Sequence, residues 1–435
     1  MFKLIEKLFV VLTLLYFTAA ILPVLLEPAV DPRFPQKPDG NPVELAIQTA
    51  FYFTAAIFVT FRWKRFFAGV RAAMPVMALV GLAVVSTAWS QDPAFTIRRS
   101  IVLLATTLFG VYFGACFDTE EQLRLLRWSL LLAALASLFF VALLPQYGVD
   151  HVFHQGDWQG AFTQKNVLGR VMVFGVFVAA CSPTLKNLTR WCLFILFGGL
   201  LVMSGSRTAE SVLLAMLVVR LAMRILRMRL ATAVPLVVTL LGISAAAAVA
   251  IASNFRIFME ILGRDSTLTG RTDIWHVVIL VISRHPLLGY GFNAFWRGLS
   301  GESADVVLTL GWMVPHAHNG FLDLGLELGI TGVALFAIGW FLSVRTGVRF
   351  FRLDETGNYD WPLTYLILLV LYNVTESAIL KQNNIFWTLY VATAVSLALA
   401  RRHAESTEAE YAWASEDGPH EFSNDPLSPL GYLPG

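Results

Sequence analysis

The chain has 435 residues, of which 57% are hydrophobic and 14% are charged, and its formal net charge is +2. A soluble domain carries about 25% charged residues, so this chain cannot cover the surface of a water-soluble protein of its size, and the same numbers exclude collagen, coiled-coil, disordered and disulfide-scaffold classes. Three cysteines provide neither a disulfide framework nor a zinc-binding spacing, and the small net charge gives no reason to expect a nucleic-acid partner. The composition is typical of a polytopic membrane protein.

Apolar runs recur along the chain, and each is close to the length of about 20 residues that a helix needs to cross the hydrocarbon of a bilayer. They predict an all-α polytopic membrane protein with about twelve transmembrane helices. The first run is long and no clear cleavage site follows it, so we interpret it as an anchor rather than a signal peptide. The predicted spans are 8–26, 44–61, 73–89, 100–117, 127–144, 166–182, 191–205, 208–224, 231–252, 319–342, 361–379 and 385–400.

The basic residues predict the orientation of these spans. With the N-terminus inside, the inner segments hold more than twice as many Lys and Arg as the short outer loops, and this bias predicts that both termini are cytoplasmic. The domain organisation expected is membrane helices over 1–252, one large periplasmic loop over 253–318, and membrane helices over 319–402. Residues 403–435 are acidic and rich in Ser and Pro, which is typical of a disordered cytoplasmic tail.

Two groups of cations lie at the starts of predicted spans on the outer side. Lys165 and Asn166 begin a span and Arg170 follows a turn deeper, where a helix N-terminus adds positive potential that suits a phosphate. Arg207 lies in a very short hairpin and has little loop in which to leave the membrane edge. The alternatives are a Lys that reaches the interface and a local ion pair between Arg207 and Glu210.

A third motif lies in the large outer segment. Asp273 is expected to cap a helix that begins at Ile274, and the turn over 286–291 is expected to end it. Arg271 would then lie just before a helix N-terminus, at a position where an anion binds. The alternative is that Arg271 is an ordinary surface residue of a loop.

A fourth motif enters the tenth predicted span. His316 and His318 precede Asn319, and Asn319, Asp323 and Glu327 follow one face of the helix at intervals of four residues. Carboxylates inside a span are costly and should face the bundle interior, and a His beside them is suited to proton transfer near neutral pH. Small residues on the same span predict the close approach of another helix; they are Gly325, Gly329 and Gly332.

The end of the eleventh predicted span carries a weaker signal. Asn373 and Glu376, followed by Lys381, also lie on the outer side and are expected to complete the rim of a site. Zinc binding by His316 and His318 with the pair His151 and His154 is an alternative, but no metal-binding Cys or acidic cluster supports it. We therefore expect no metal and no cofactor.

Cations and a candidate base from distant segments thus share one membrane face, which is what a site for a diphosphate-linked lipid needs. The ordered set of motifs resembles the O-antigen ligase and Wzy-type polymerase superfamily, from about residue 150 to 335. The stretch from Lys165 to Arg170 is most similar to exopolysaccharide polymerases. The residues that carry the resemblance are Gly160 to Asn166, Ser206-Arg207, Gly270-Arg271 with Trp275, Pro286 to Gly291, and His318-Asn319 with Leu326 to Gly329.

The resemblance implies a metal-independent, inverting glycosyltransferase of the bacterial inner membrane, with an undecaprenyl-diphosphate-linked glycan as donor. By resemblance, His318 activates the hydroxyl of a glycan or lipid acceptor, while Arg207 and Arg271 hold the diphosphate as it leaves. A chain-length regulator is a further expected partner. The candidates for substrate binding are Lys165, Asn166, Arg170, His316, Asn319 and Glu327.

Three functions remain open at the level of sequence. A polymerase joins one lipid-linked repeat unit to another, whereas a ligase transfers the finished glycan to lipid A core or another acceptor. The third is a transporter of glycans or small solutes, which would carry its charges near the midplane at a repeat interface rather than at one face.

Overall fold

A computed structural model of the chain describes residues 1–26, 41–151, 155–226, 270–354 and 359–416. The predicted ninth span, 231–252, and His154 lie outside the described residues. Within them the chain is helical, with one isolated β-bridge between Val149 and Trp158. The helices are α1 (Phe2–Phe17), α2 (Leu22–Leu26), α3 (Pro42–Phe61), α4 (Trp63–Ala72), α5 (Met74–Val85), α6 (Pro93–Cys116), α7 (Thr119–Leu143), α8 (Pro145–Gly148), α9 (Lys165–Cys181), α10 (Asn187–Met203), α11 (Arg207–Leu226), α12 (Arg271–Ile282), α13 (Ser303–Leu310), α14 (Gly320–Leu353), α15 (Asp360–Thr375) and α16 (Ile385–Glu416).

All the predicted spans within the described residues are helical, and some of the helices begin or end at other residues than predicted. The first span is interrupted between α1 and α2, where Ala19 and Ile21 have positive φ angles. Helix α16 continues to Glu416, past the predicted end of the last span and into the segment expected to be disordered. The alanines and glutamates of this segment are good helix formers, which accounts for the extension.

Among the helices of the described residues, four are long and apolar enough to cross a membrane, namely α3, α6, α7 and α14. Helices α4 and α5 pass the same test together, although the chain bends by 81° between them. These helices make the chain a helical membrane protein. The total of twelve spans and the side on which each loop lies remain predictions from the sequence.

Small residues bring α6 and α16 into close contact. A Cβ on Gly110 would lie 2.8 Å from Cβ of Val391, and one on Gly114 would lie 2.8 Å from Cα of Ala392. Such close approach of backbones is typical of helices packed in a membrane. An aromatic cluster joins this pair to α9 and α15, since Phe386 lies 4.4 Å from the ring centroid of both Phe174 and Tyr372.

Helix α14 is broken at Gly329, where φ is 63° and ψ is −165°. The turn over 286–291 inserts into the break: the amides of Tyr290 and Gly291 donate to the carbonyls of Leu326 (2.8 Å) and Glu327 (3.0 Å). On the far side, the amide of Ile330 donates to the carbonyl of Pro286 at 2.8 Å. The backbone groups freed by the break are therefore satisfied by protein.

This break corrects one expectation from the sequence. Gly329 was expected to admit a neighbouring helix, but it admits the backbone of the inserted turn, because a Cβ there would lie 2.5 Å from the amide nitrogen of Leu288. Gly325 does face another helix, since a Cβ on it would lie 3.2 Å from Cδ1 of Ile282 on α12. The inserted turn thereby fixes α12 and the first half of α14 beside each other.

Candidate functional site

The segment that carries His316 and His318 is held between α12 and α14. The indole Nε1 of Trp275 donates to the carbonyl of Ala317 at 2.9 Å, which ties the segment to α12. The side chain of Asn319 caps α14 by accepting from the amides of Phe321 and Leu322, at 3.0 and 3.1 Å. His318 itself has a φ of 49°, a left-handed conformation that turns the chain sharply into the helix.

Asp323 supports the same segment from inside α14. Its Oδ1 accepts from the amide of Ala317 at 3.0 Å and from Nε1 of Trp296 at 2.8 Å. The predicted polar face of this helix is confirmed in part, because both Asp323 and Glu327 are buried. Asn319, the first member of the row, is the cap of the helix.

Glu376 reaches the two histidines from the end of α15. Its position is set by Asn373, whose Oδ1 accepts from the amides of Ala378 and Ile379 and so fixes the turn that follows Glu376. The carbonyl of Glu376 accepts from the amide of Gly320, the first residue of α14, at 3.0 Å. The end of α15 and the start of α14 are therefore locked together at this point.

The two carboxylate oxygens of Glu376 face two different groups. Oε1 accepts from Nη2 of Arg271 at 3.1 Å, and Nη1 of the same guanidinium donates to the carbonyl of Thr375 at 2.8 Å. Oε2 lies 3.6 Å from Nδ1 of His318. The side chains of all three are mostly shielded from solvent, with 12% of Glu376, 19% of Arg271 and 26% of His318 exposed. One carboxylate thus positions both a cation and an imidazole.

Arg271 differs in one respect from the sequence expectation. It is the first residue of α12, and the helix begins three residues before Ile274, with Gly270 at the N-cap in a left-handed conformation. Asp273 therefore lies in the first turn instead of capping the helix. A capping acidic side chain was expected, but the φ of 71° that Gly270 adopts is one that favours glycine.

His316 packs against His318, with 4.0 Å between the ring centroids. Its Nδ1 accepts from the backbone amide of His318 at 3.1 Å. Burial and the neighbouring His318 lower the pKa of His316 to about 4, so its ring is neutral at pH 7. A neutral ring whose Nδ1 accepts carries its proton on Nε2 and acts there as a donor.

Arg170 reaches the same region from α9. Its Nη1 donates to the hydroxyl of Tyr372 at 3.1 Å, and its guanidinium lies over the rings of Tyr372 and Phe386, at 5.9 and 5.8 Å from their centroids. Tyr372 lies one helical turn before Glu376 on α15. Among the predicted site cations, Arg170 has no acidic partner within the described residues, which leaves its charge available to an anion.

Glu327 forms a second buried pair near the first. Nζ of Lys381 lies 3.5 Å from its Oε1, and 5% of the Glu327 side chain is exposed. Lys381 was a weak candidate in the sequence, and the structure pairs it with a predicted substrate-binding residue.

The other predicted cations form a separate group. Nζ of Lys165 lies 2.7 Å from Oδ2 of Asp157, and Asn166 accepts from the hydroxyl of Ser206 at 2.8 Å. Arg207 donates to Oε2 of Glu210 at 3.0 Å, and 74% of its side chain is exposed. Within the described residues Arg207 has no contact with Arg271 or His318, so its position corresponds to the local ion pair that was the alternative interpretation.

Helix α9 connects the two groups. Asn166 and Arg170 are four residues apart and so lie on one face, separated by about 6 Å of helical rise. The first contacts Ser206 and the second contacts Tyr372. The structure therefore assembles Arg170, Arg271, His316, His318 and Asn319, and leaves Lys165, Asn166 and Arg207 in a separate group at the starts of α9 and α11.

Some residues that contact the candidate site received little weight in the sequence. Glu376 was treated as a weak signal and Tyr372 and Asp157 were not considered, although a Glu at the predicted outer end of a span is a signal that could have been weighted more. His151, part of the zinc alternative, is exposed, and its Nε2 contacts the carbonyl of Pro145 at 3.3 Å.

Comparison with known proteins agrees with the motifs. Residues 192–337 match the protein family described as O-antigen ligase. Exopolysaccharide production protein ExoQ of Rhizobium meliloti is 28% identical over 278 residues, which are 60% of this chain and 62% of ExoQ. Proteins named as polysaccharide ligases in Rickettsia prowazekii and Rickettsia typhi are 28% and 30% identical, over 27% and 25% of this chain and 30% and 28% of their own lengths.

These similarities confirm the resemblance to the O-antigen ligase and polysaccharide polymerase superfamily. The chain is a helical membrane protein with an O-antigen ligase-like region at 192–337. Of the relatives named above, ExoQ shares the longest aligned region with it. The chain matches less than two thirds of the length of each relative. Arg207, Arg271 and His318 lie inside the matched region, whereas Arg170 and Glu376 lie outside it.

Proposed function

We propose that the chain is a glycosyltransferase that joins lipid-diphosphate-linked glycan repeat units into a polysaccharide at the periplasmic face of the bacterial inner membrane. The observation that carries this proposal is the arrangement of Arg271, Glu376 and His318, in which one carboxylate holds both an anion-binding guanidinium and a candidate base. The similarity to ExoQ favours a polymerase. The proposed fold has twelve spans, with both termini in the cytoplasm and the loop over 253–318 in the periplasm.

The proposed base is His318. With Nδ1 directed to the carboxylate of Glu376, the tautomer protonated on Nδ1 is favoured, and Nε2 keeps the lone pair that accepts the proton of the acceptor hydroxyl. The separation of 3.6 Å is longer than a hydrogen bond, as is common for catalytic contacts before the substrate binds. Glu376 then stabilises the imidazolium that forms.

The proposed leaving group is the lipid diphosphate. As the acceptor oxygen forms its bond to the anomeric carbon, the bond from that carbon to the diphosphate breaks and its electron pair goes to the phosphate oxygen. Attack from the opposite face inverts the anomeric configuration. Arg271 and Arg170 are placed to stabilise the charge, and Arg207 joins them by leaving Glu210, since an exposed pair of this kind contributes about 0–1 kcal/mol.

The remaining predicted residues are assigned to substrate binding. Lys165 and Asn166 lie where α9 begins and would contact the donor near its diphosphate. His316, through its Nε2 proton, and Asn319 lie beside the base and would donate to glycan or phosphate oxygens. Glu327, paired with Lys381, would accept from a sugar hydroxyl.

The reaction is tested with purified protein in lipid nanodiscs and an undecaprenyl-diphosphate-linked oligosaccharide. We expect release of undecaprenyl diphosphate, and we expect His318→Ala and Arg271→Ala to abolish it. His276→Ala is the matched control, because His276 is an exposed His on the same helix as Arg271. Release that persists unchanged in both site variants would exclude the assigned mechanism, and the absence of release by the wild type would favour a transporter.

Ligase activity is the second candidate, because the matched family is described as O-antigen ligase and two relatives are named as ligases. The chemistry is shared and the acceptor differs. Deleting the gene separates the two functions: loss of a polymerase leaves single repeat units on lipid, whereas loss of a ligase leaves long lipid-linked chains without an acceptor. Accumulation of long chains would exclude the polymerase assignment.

A further inference from the structure

The nitrogen of His318 that faces Glu376 has an unusual environment. Nδ1 is buried and has no hydrogen-bond partner within the described residues, because Oε2 of Glu376 lies beyond hydrogen-bond distance at 3.6 Å. The ring of His316 packs against that of His318, with 4.0 Å between the ring centroids. One ligand atom from each of His316, His318 and Glu376 lies within 4.8 Å of the others.

Side-chain rotations that bring these ligand atoms, now within 4.8 Å of one another, closer together would form a metal site. Zinc binds His nitrogen and carboxylate oxygen at about 2.0–2.1 Å with tetrahedral geometry, so two of its ligand atoms lie about 3.3 Å apart. The 3.6 Å between Nδ1 of His318 and Oε2 of Glu376 is too long for a hydrogen bond and close to this edge. A small rotation of either side chain closes the difference.

The surrounding contacts support the same interpretation. Two His and one Glu are the ligand set of open zinc sites, which leave a fourth position for water or another ligand. Arg271 donates to Oε1 of Glu376, which leaves Oε2 as the ligand atom and fixes the orientation of the carboxylate. His316 offers the lone pair of Nδ1 once this atom releases the backbone amide of His318, to which it is hydrogen-bonded at 3.1 Å.

We propose that His316, His318 and Glu376 form a binding site for a divalent transition metal such as Zn²⁺. The nitrogen donors select Zn²⁺ and Co²⁺ over Mg²⁺ and Ca²⁺, which prefer oxygen ligands. The ion takes the carboxylate oxygen that orients the proposed base and binds the base itself. It therefore inhibits the glycosyl transfer, and this second consequence rests on the proposed function, whereas binding does not.

Binding is measured first, without substrate. The protein is purified without a polyhistidine tag and titrated with Zn²⁺, and with Co²⁺ as a spectroscopic probe whose visible bands are intense in tetrahedral sites. We expect one ion per chain, no competition by Mg²⁺, and a loss of Zn²⁺ affinity of more than about tenfold in His318→Gln, His316→Gln and Glu376→Gln. His276→Ala, which removes an exposed His of α12, is expected to bind like the wild type.

The possible outcomes distinguish failure of the proposed metal site from failure of the proposed glycosyl transfer. Zn²⁺ affinity that is the same in His318→Gln, Glu376→Gln and wild type would overturn the site, and so would loss of binding in His276→Ala. Thermal unfolding of each variant shows whether it is folded, and His316→Gln provides a third variant if one of the others is not. Stoichiometric binding without inhibition of undecaprenyl diphosphate release would leave the site intact and contradict the role of His318 as base.

Discussion

Glu376 is the residue on which the proposed reaction depends most, because its two oxygens face Arg271 and His318 separately. The variant Glu376→Gln keeps the shape of the side chain but removes the charge that favours the Nδ1-protonated tautomer of His318 and stabilises its imidazolium. We expect kcat to fall by about 10²–10⁴-fold, the range for the loss of general base catalysis or of its orienting carboxylate. Initial rates of undecaprenyl diphosphate release measure it.

A matched control for this variant is Glu302→Gln. Glu302 is a partly exposed carboxylate in the same predicted outer segment and pairs with Arg284 at 2.9 Å. We expect this variant to keep wild-type rates, because an exposed pair contributes little and lies outside the site. A Glu376→Gln enzyme that is as active as the control would remove Glu376 from the mechanism.

Arg207 and its partner Glu210 offer a second comparison at the scale of single residues. If Arg207 binds the diphosphate, Arg207→Ala should lose about 10²-fold in kcat, the loss typical for one group that stabilises developing charge. Glu210→Gln frees the guanidinium and should keep full activity. Steady-state kinetics of the two variants, with Arg170→Ala beside them, rank the contributions of the arginines.

The alternative to a catalytic Arg207 predicts a different pattern. If Arg207 only forms the ion pair with Glu210 within α11, the two substitutions should lower the free energy of unfolding equally, by a few tenths of a kcal/mol, and leave kcat unchanged. Equal activity of Arg207→Ala and Glu210→Gln would therefore contradict the assigned role of Arg207 and leave Arg170 and Arg271 as the anion-binding pair.

At this scale the sequence indicates the candidate groups of the site better than their partners. His318 and Arg271 could be proposed from the sequence because an outer His beside carboxylates, and an Arg beside a helix start, are chemically distinctive by themselves. The role of Glu376 could not be predicted, because it depends on a contact with Arg271, which lies 105 positions away in the chain. Hydropathy places Glu376 at a membrane face without indicating which residues of that face it meets.

The broken helix α14 is the element that positions the site. At Gly329, φ and ψ are 63° and −165°, a region that only glycine adopts readily, and a Cβ would also meet the inserted turn. We expect Gly329→Ala to lower the free energy of unfolding by about 2 kcal/mol or more, since one strained residue alone costs about 1–3 kcal/mol. Thermal unfolding in detergent measures the change.

The control for this variant is Gly198→Ala. Gly198 lies in α10, and a Cβ there would have no atom of the described residues within 4 Å, so alanine should be neutral or stabilising by up to about 1 kcal/mol. A Gly329→Ala protein as stable as Gly198→Ala would show that the break is not held by the turn over 286–291.

Elements were predicted with unequal success for a physical reason. The helices follow from runs of apolar residues, which any bilayer selects, so their positions are visible in the sequence. The break in α14 is not, because a Gly in an apolar run predicts close packing as readily as a kink. Only the hydrogen bonds that the inserted turn donates to Leu326 and Glu327 distinguish the two, and these depend on the tertiary fold.

For the whole molecule, most of the cations near the site are paired with carboxylates before any substrate binds. Arg271, Lys381 and Lys165 each have a carboxylate partner, and Arg170 rests on two aromatic rings. Such pairing is what allows charges to remain near a hydrocarbon layer at moderate cost. A diphosphate must therefore exchange with internal carboxylates, and the carboxylate that it displaces from Arg271 is the one that faces the proposed base.

The proposed sidedness of the molecule is testable with its own cysteines. Cys116 and Cys181 are buried and Cys192 is exposed, near the predicted cytoplasmic start of α10. Ser300 is exposed in the outer segment. In cells whose outer membrane is permeable, a membrane-impermeant maleimide should label the variant Ser300→Cys made in a Cys192→Ser background. In the wild-type protein the same reagent should leave Cys192 unlabelled until the inner membrane is opened. The basic residues alone predict this orientation. Labelling of Cys192 in cells with an intact inner membrane would therefore show that the topology is the reverse of the predicted one and that the His318 site faces the cytoplasm.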